Sequence, residues 1–360
     1  MFYKKYLVPV LILFLLAFWG QWFYKFDWLP HNSVQVDIEQ IYNRYSNYLD
    51  TVWNGTGWQY NVPSKSYNEI NKISSNYLRQ QVTFATFYRF RNDAEAGNKI
   101  HRALAYALVE LPKKQVNFLV KNGEKISTRS FNEAIGLFLS LRLLETRSDL
   151  FTEAEKQIIL QNIKAMYPWV LQANDTENRS LLGAAYSLAI LNHPLLQFTA
   201  AERDEYLILI RKKISIGLLS IDSNGVYREG EDSEFTPHYH LVSADMLSYL
   251  GGELKDDNYL NLAHKMHLLI YKKYPQGQVN SLAVYRPTGV GLQTVLLRSV
   301  SQYYLKNPLW YKYWEKEKVG LGFIDPNFTN RLVWQDTVDN SFNDDYSLAN
   351  MAELFWDKLR

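Results

Sequence analysis

The sequence predicts an all-α protein, built of helical hairpins in two layers behind one N-terminal membrane-spanning segment. Three observations carry this. Apolar residues recur at helical spacing in about ten segments of roughly 12–20 residues. Two of these segments open on capping boxes, and strand signals are few and short. Finally, the helices holding Ile135–Leu141 and Leu181–Leu191 are apolar on more than one face. Helices in antiparallel pairs with short turns pack as a bundle, an open solenoid or a ring of hairpins. Helices apolar on more than one face suit the inner layer of such a ring, incomplete or closed, with the polar, capped helices outside.

Residues 1–30 supply the spanning segment. Lys4 and Lys5 precede an apolar run, and Leu7 through Tyr24 gives 18 largely apolar residues, near the minimum for a bilayer. The run leaves through Trp19, Trp22, Phe23, Tyr24 and Trp28, an aromatic belt suited to the outer interface. No small-x-small cleavage site follows, so the segment is expected to stay as a signal-anchor. Residues 31–360 then form one domain on the periplasmic or extracellular side. Cleavage after about residue 20 would instead release it.

Along the domain, Val36, Ile38, Ile41, Tyr42, Tyr45, Tyr48, Leu49 and Val52 define an amphipathic helix over 34–53. Residues 54–98 read as mixed, with turns at Asn54-Gly55 and Pro63. Asn98 to Leu111 is helical up to Pro112, and 115–125 fits a short hairpin around Asn122-Gly123. Ser130 to Thr146 is a strongly apolar helix. Thr152 and Glu155 form a capping box, opening a helix expected to end or kink near Tyr167, ahead of Pro168. Asn178 to Leu191 is helical, and Thr199 with Glu202 caps a helix reaching about Leu219. Helices near 236–250, 257–273, 288–305 and 346–358 complete the series.

Composition narrows the function. The chain has no cysteine, which excludes disulfides, thiolate nucleophiles and Cys-ligated metals. Residues 1–30 hold Lys4, Lys5 and Lys25 against Asp27, so the net charge of +2 falls to zero for the domain. A neutral domain argues against nucleic acid as the partner. Ten Trp and 26 Tyr are more rings than a core normally needs, and they either line a carbohydrate cleft, where flat rings stack on the apolar faces of sugars, or fill a large aromatic-rich core. No cofactor or metal is expected. His264 and His267 share a helix face, but Lys265, Lys272 and Lys273 beside them favour a solvated or stacking role over a metal site.

Chemistry concentrates in Asp222–His240. After the Asn224-Gly225 turn, residues 226–240 carry one Arg, four carboxylates, two Tyr and two His, and Pro237 starts a helix. Asn224-Gly-Val-Tyr-Arg-Glu-Gly230, then eight residues, then Tyr239-His240 at the head of an apolar helix, resembles the catalytic stretch of (α/α)-toroid polysaccharide lyases. The alginate lyases and the hyaluronate and chondroitin lyases belong to that group. Asn178-Arg179 resembles the family's Asn at the start of an earlier inner helix, and Tyr285-Arg286 with the following Gly-rich turn resembles a later element.

The resemblance implies β-elimination across a glycosidic bond of an acidic, uronate-containing polysaccharide. Tyr239 would be base and acid, Asn178 and Arg179 would neutralise the sugar carboxylate, and His238 or His240 would assist. Arg228, Arg286, Tyr227 and Tyr285 would bind substrate. A tyrosine's ordinary pKa of about 10 requires nearby cations before it serves as a base. Two departures stand out: Gly230 replaces the family's His, and Arg179 follows the Asn where His or Trp is usual. Glu229, Glu231, Asp232 and Glu234 would repel an anionic polymer unless they face away or pair with Arg228 and Arg286. The same carboxylates keep a toroid glycoside hydrolase open, with Glu229 or Glu231 paired to Asp175 or Asp232. A membrane-anchored, non-catalytic glycan-binding or assembly factor is the third reading.

Overall fold

Buried and half-exposed helices alternate along the chain. The computed structural model describes residues 39, 42–43, 46–47, 49–51, 53, 55, 58, 75–105, 108–109, 130–172, 175–228, 235, 237–273 and 353–355. Eight long helices lie within these: α1 (Ser75–Phe87), α2 (Ala94–Ala105), α3 (Ser130–Thr146), α4 (Glu153–Gln172), α5 (Glu177–Leu191), α6 (Ala200–Leu218), α7 (Pro237–Leu254) and α8 (Asp257–Lys273). Among the described residues there are two isolated β-bridges, Trp53 with Trp58 and Ile221 with Tyr227, and no strand. The protein is all-α, as expected.

The odd-numbered helices pack side by side in chain order, α1 on α3, α3 on α5 and α5 on α7. Each also pairs with the even-numbered helix that follows it. Burial follows this division. Almost every side chain from Asn178 to Leu191 is buried, as are those from His240 to Gly251. α4 instead buries one stripe, Ile159, Ile163, Tyr167, Val170 and Leu171. An inner row is therefore flanked by an outer one. Each large apolar side chain that the inner helices bury contributes about 1.5–3 kcal/mol.

Local signals explain most helix ends. Thr199 and Glu202 exchange hydrogen bonds of 2.7 and 3.2 Å, a full capping box. Thr152 and Glu155 do the same ahead of α4. Those Thr152 bonds, with His101 next, hold the Glu155 carboxyl down at about 2. His101 stacks on Phe151 and meets Glu155 at 2.9 Å, pinning α2 to the start of α4.

Three boundaries differ from the sequence reading. α1 occupies part of the stretch read as mixed, because its Val82-Thr-Phe-Ala-Thr-Phe87 run looks strand-like locally yet is buried on every side. Asp93, not Asn98, starts α2: its Oδ1 accepts from the Ala96 N–H at 2.8 Å. α4 continues through Pro168 to Gln172, with Tyr167, Val170 and Leu171 anchored in the core beyond the missing N–H.

The end of the chain returns to the inner row. The Glu353 carboxylate is fully buried, with Arg89 Nη1 at 2.5 Å from each oxygen, Tyr42 Oη at 3.1 Å and Arg142 Nε at 3.6 Å. Its charge also reaches Tyr186 of α5, and Phe355 meets the Tyr249 ring of α7 at 5.6 Å. Residues 353–355 are thus within reach of α3, α5 and α7 and of the turn that follows α1. No helix among the described residues is long and apolar enough to cross a membrane. The anchor in residues 1–30, the hairpin at 115–125 and the helix at 288–305 fall outside the described residues.

Candidate functional site

Contacts between neighbouring inner helices place their N-terminal ends along one rim. Arg79, in the first turns of α1, donates to Asn132 Oδ1 in the first turn of α3 at 2.7 Å. Glu133, beside Asn132, feels the charge of Asp175, which lies just before α5. The Asn178 N–H in the first turn of α5 donates to Tyr227 Oη at 3.3 Å. Tyr227 in turn adjoins Tyr239 and His240 in the first turn of α7.

A tight turn delivers Tyr227. Asp222 Oδ1 accepts from the N–H groups of Asn224 and Val226, both at 2.9 Å, and Gly225 adopts φ +77°. The Val226 and Asn224 N–H groups, with Arg228, hold the Asp222 carboxyl below its usual range. The Arg228 N–H bonds back to the Ser220 carbonyl at 2.8 Å, which sends the intervening Tyr227 inward to full burial. The exposed Arg228 side chain meets Asp222 at 3.3 Å.

Tyr227 joins α5 to α7. Its backbone N–H donates to His240 Nδ1 at 3.2 Å, and the Met266 carbonyl accepts from His240 Nε2 at 2.8 Å. These partners fix the tautomer, since a nitrogen facing an N–H bears no proton. His240 is fully buried and bonded at both nitrogens to backbone, so it holds the Tyr227 segment onto α7 and α8. Tyr239 is half-buried, its ring 6.5 Å from that of Tyr227.

The start of α5 is held under strain. Thr176 makes no side-chain cap, and Glu177 sits at φ +57°, a left-handed conformation that costs a non-glycine residue about 1–3 kcal/mol. α6 grips this turn at three points. Lys213 Nζ meets Asp175 Oδ2 at 2.8 Å with both side chains buried, and the Lys213 carbonyl accepts from Ser180 Oγ at 2.8 Å. Gly217 provides the third, because a Cβ there would lie 2.5 Å from Leu181 Cγ and 3.2 Å from the Glu177 carbonyl. Asn178 is thereby fixed and 4% exposed, and its Oδ1 has no hydrogen-bond partner among the described residues.

Asp175 also sits against α3. A Cβ on Gly183 would lie 3.0 Å from Asp175 Oδ2 and 3.7 Å from both Lys213 Cδ and Phe131 Cβ, so all three groups close on one point. Burial and the Asp175 charge push the half-buried Glu133 up to about 7.

Of the residues singled out in the sequence, Asn178, Tyr227, Tyr239 and His240 are brought together. Arg179 is half-buried beside Asn178. Arg228 is engaged by its own turn. The His238 side chain, Tyr285, Arg286, Gly230 and the carboxylates Glu229, Glu231, Asp232 and Glu234 lie outside the described residues. Asp175, weighed as a hydrolase carboxylate, is 1% exposed and salt-bridged to Lys213.

His264 is exposed while His267 is fully buried, its Nε2 2.8 Å from the equally buried Asp245. The solvated role expected for His267 gives way to a pair linking α7 to α8. Burial raises the Asp245 carboxyl well above its ordinary range.

Glu133 and Lys213 escaped the sequence reading. Ser130-x-x-Glu133 has the form of a capping box, which disguises the acid as a helix cap, and Lys213 reads as an outward charge on an amphipathic helix. No family model matches the chain, and no curated protein or solved structure matches it either.

Proposed function

We propose that this protein cleaves an acidic, uronate-containing polysaccharide by β-elimination at the N-terminal rim of its inner helices. The observation that carries this reading is the hydrogen-bonded link from Asn178 through Tyr227 to the Tyr239 turn. It joins an amide and a phenol on adjacent helices, the two group types the elimination needs.

The C5 proton of a uronate is too weakly acidic to remove until its carboxylate is neutralised. The Asn178 amide and the Arg179 guanidinium supply that neutralisation by hydrogen bonding to charge as it develops. Tyr239, as phenolate, takes the C5 proton, the C5 electron pair forms the C4–C5 double bond, and the C4–O bond breaks. The phenol then returns its proton to the leaving oxygen. His240 acts through Tyr227, as a positioning residue.

The fold that suits this chemistry is the (α/α) toroid, a closed ring of the hairpins described above. Supporting it, one three-residue segment, 353–355, meets Arg89 in the turn that closes the first of the described inner helices and Tyr249 in the last. Four helices in a flat row at about 8–10 Å spacing would hold those helices some 24–30 Å apart. The enzyme is further read as anchored by residues 1–30, with the domain outside the cytoplasm.

Incubation of the full chain with alginate, hyaluronate and chondroitin tests the reaction. An ultraviolet-absorbing unsaturated product is expected. New reducing ends without that absorbance would mean hydrolysis by paired carboxylates. Glycan binding with neither product would leave a non-catalytic binding factor.

A further inference from the structure

The stretch that follows the N-terminal apolar segment is fixed at one end of the inner row, and that end is not the rim. The Tyr42 ring lies 5.3 Å from that of Phe87 and 5.5 Å from that of Phe90, and its Oη donates to Glu353 at 3.1 Å. Two turns on, Asp50 accepts from Tyr88 Oη at 2.8 Å and meets Arg91 at 2.6 Å. Phe87 ends α1, and Tyr88, Phe90 and Arg91 belong to the turn into α2. Tyr42 and Asp50 therefore both sit at the foot of the inner row.

Two more inner helices bring the same cluster to their feet. Arg142, whose Nε is 3.6 Å from Glu353, stands ten residues beyond Asn132 on α3. Tyr249, whose ring meets Phe355, stands ten residues beyond Tyr239 on α7. Ten helical residues rise about 15 Å, so rim and foot are opposite ends. The 18 residues of α7 set the full height at about 27 Å.

The chain ahead of Tyr42 leaves little slack. Trp28 closes the aromatic belt of the apolar segment, and Glu39, one turn before Tyr42, is already helical. Eleven positions separate Trp28 from Glu39. That length reaches about 38 Å at full stretch, about 17 Å as a helix and about 18 Å on average as a coil. Turning the rim toward a bilayer would lift the foot by the whole height of the row and by the thickness of a polymer lying at the rim. Only a nearly taut tether allows it, whereas a foot turned to the bilayer is met by the ordinary reach.

We propose that the domain stands with the foot of its inner row toward the membrane and the rim of Asn178 and Tyr239 turned away from it. The acidic polymer taken by the rim is then one free in the space beyond the membrane, not a chain carried on lipid at the bilayer surface. The orientation rests on the reading of residues 1–30 as a membrane anchor and is independent of the reaction at the rim.

Energy transfer to an acceptor dye on the lipid headgroups, in vesicles holding the full chain, measures this orientation. The chain has no cysteine, so a single introduced thiol carries the donor dye. Leu195→Cys marks the foot. The Leu195 N–H donates to His193 Nδ1 at 3.3 Å, and His193 Nε2 is 3.8 Å from Glu145, which bonds Arg142. Ser223→Cys marks the rim, in the turn that delivers Tyr227 and whose Ser223 carbonyl accepts from Lys265 at 2.8 Å. Both side chains are exposed. Once flotation shows that the labelled chains travel with the vesicles, the label at 195 should transfer about twice as efficiently as that at 223, given a height difference of roughly 20 Å. A uronate polymer coupled by one end to vesicle lipid gives a second readout: the same vesicles should cut free polymer throughout and leave a stub on the coupled one.

Equal transfer from the two labels, or more from 223, overturns the orientation while the anchor stands. Chains that do not float with the vesicles remove the anchor and the orientation with it, and leave the lyase untouched. Complete stripping of the coupled polymer overturns the substrate assignment. Stronger transfer from 195 with no unsaturated product from either polymer keeps the orientation and removes the lyase.

Discussion

Tyr227 Oη accepts a hydrogen bond from the Asn178 backbone N–H at 3.3 Å, joining the first turn of α5 to the segment that leads into α7. That N–H is one of the donors at the start of α5 that no intrahelical carbonyl satisfies. A buried phenol from 49 residues further along takes the place of a cap that Thr176 does not make. The strained Glu177 and the fixed Asn178 therefore depend on a tertiary partner.

Tyr227→Phe removes this acceptor while keeping the ring. A buried N–H left unmet costs about 1–3 kcal/mol, so the denaturant midpoint should fall accordingly. Lyase turnover should fall with it, because Asn178 loses its anchor. An unchanged midpoint would mean that Asn178 is held by other groups.

Tyr239→Phe bears on the chemistry alone. The ring still packs beside Tyr227 in its half-buried position, so the far-ultraviolet circular dichroism and thermal midpoint should hold. Turnover of the cleaved uronate polymer should drop about 10²–10⁴-fold, the range for loss of a general acid–base group. Full activity in this variant would remove Tyr239 as the base.

The pair formed by Lys213 and Asp175 should respond asymmetrically to substitution. Lys213→Met strands a buried carboxylate and is expected to destabilise the fold by about 3–5 kcal/mol. The double variant Lys213→Met, Asp175→Leu removes both charges and should recover most of that loss. Additive effects of the two single changes, measured by urea unfolding, would show that the pair is not coupled.

Glu133 gives a stability dependence opposite in sign to that of an ordinary paired carboxylate. Its folded value of about 7 lies above the usual 4.5. Between those pH values the folded chain keeps a proton that the unfolded chain has released. Stability from this group is therefore complete below about pH 4.5 and is lost as pH rises through about 7, by at most about 3 kcal/mol. Glu133→Gln should unfold later than wild type at pH 8 and alongside it at pH 5. A pH-independent difference between the two proteins would falsify the protonated state.

At the other end of the inner row, Glu353→Gln leaves Arg89 without its closest carboxylate at a site fully closed to solvent. Loss of about 3–5 kcal/mol is expected. Hydrogen exchange should rise first near Tyr42, Arg89 and Arg142, whose side chains meet the carboxylate. Exchange confined to the last few residues would mean that the tail does not brace the row.

Periodicity and capping determined most of the architecture before any tertiary information. The boxes at Thr152 and Thr199 and the all-round apolar α3 and α5 are local signals, readable because helix bonding runs between residues four apart. α1 was not legible, because Val82, Thr83, Phe84 and Thr86 favour a strand locally and become helical once the neighbours bury them. The candidate site divides the same way. Tyr239 and Asn178 were marked only through a family resemblance, carried by the spacing and helix position within their own segments. Glu133, Asp175 and Lys213 acquire meaning only from one another, across 42 and 38 positions of chain, because burial and proximity of charge are properties of the packed rim and not of any segment.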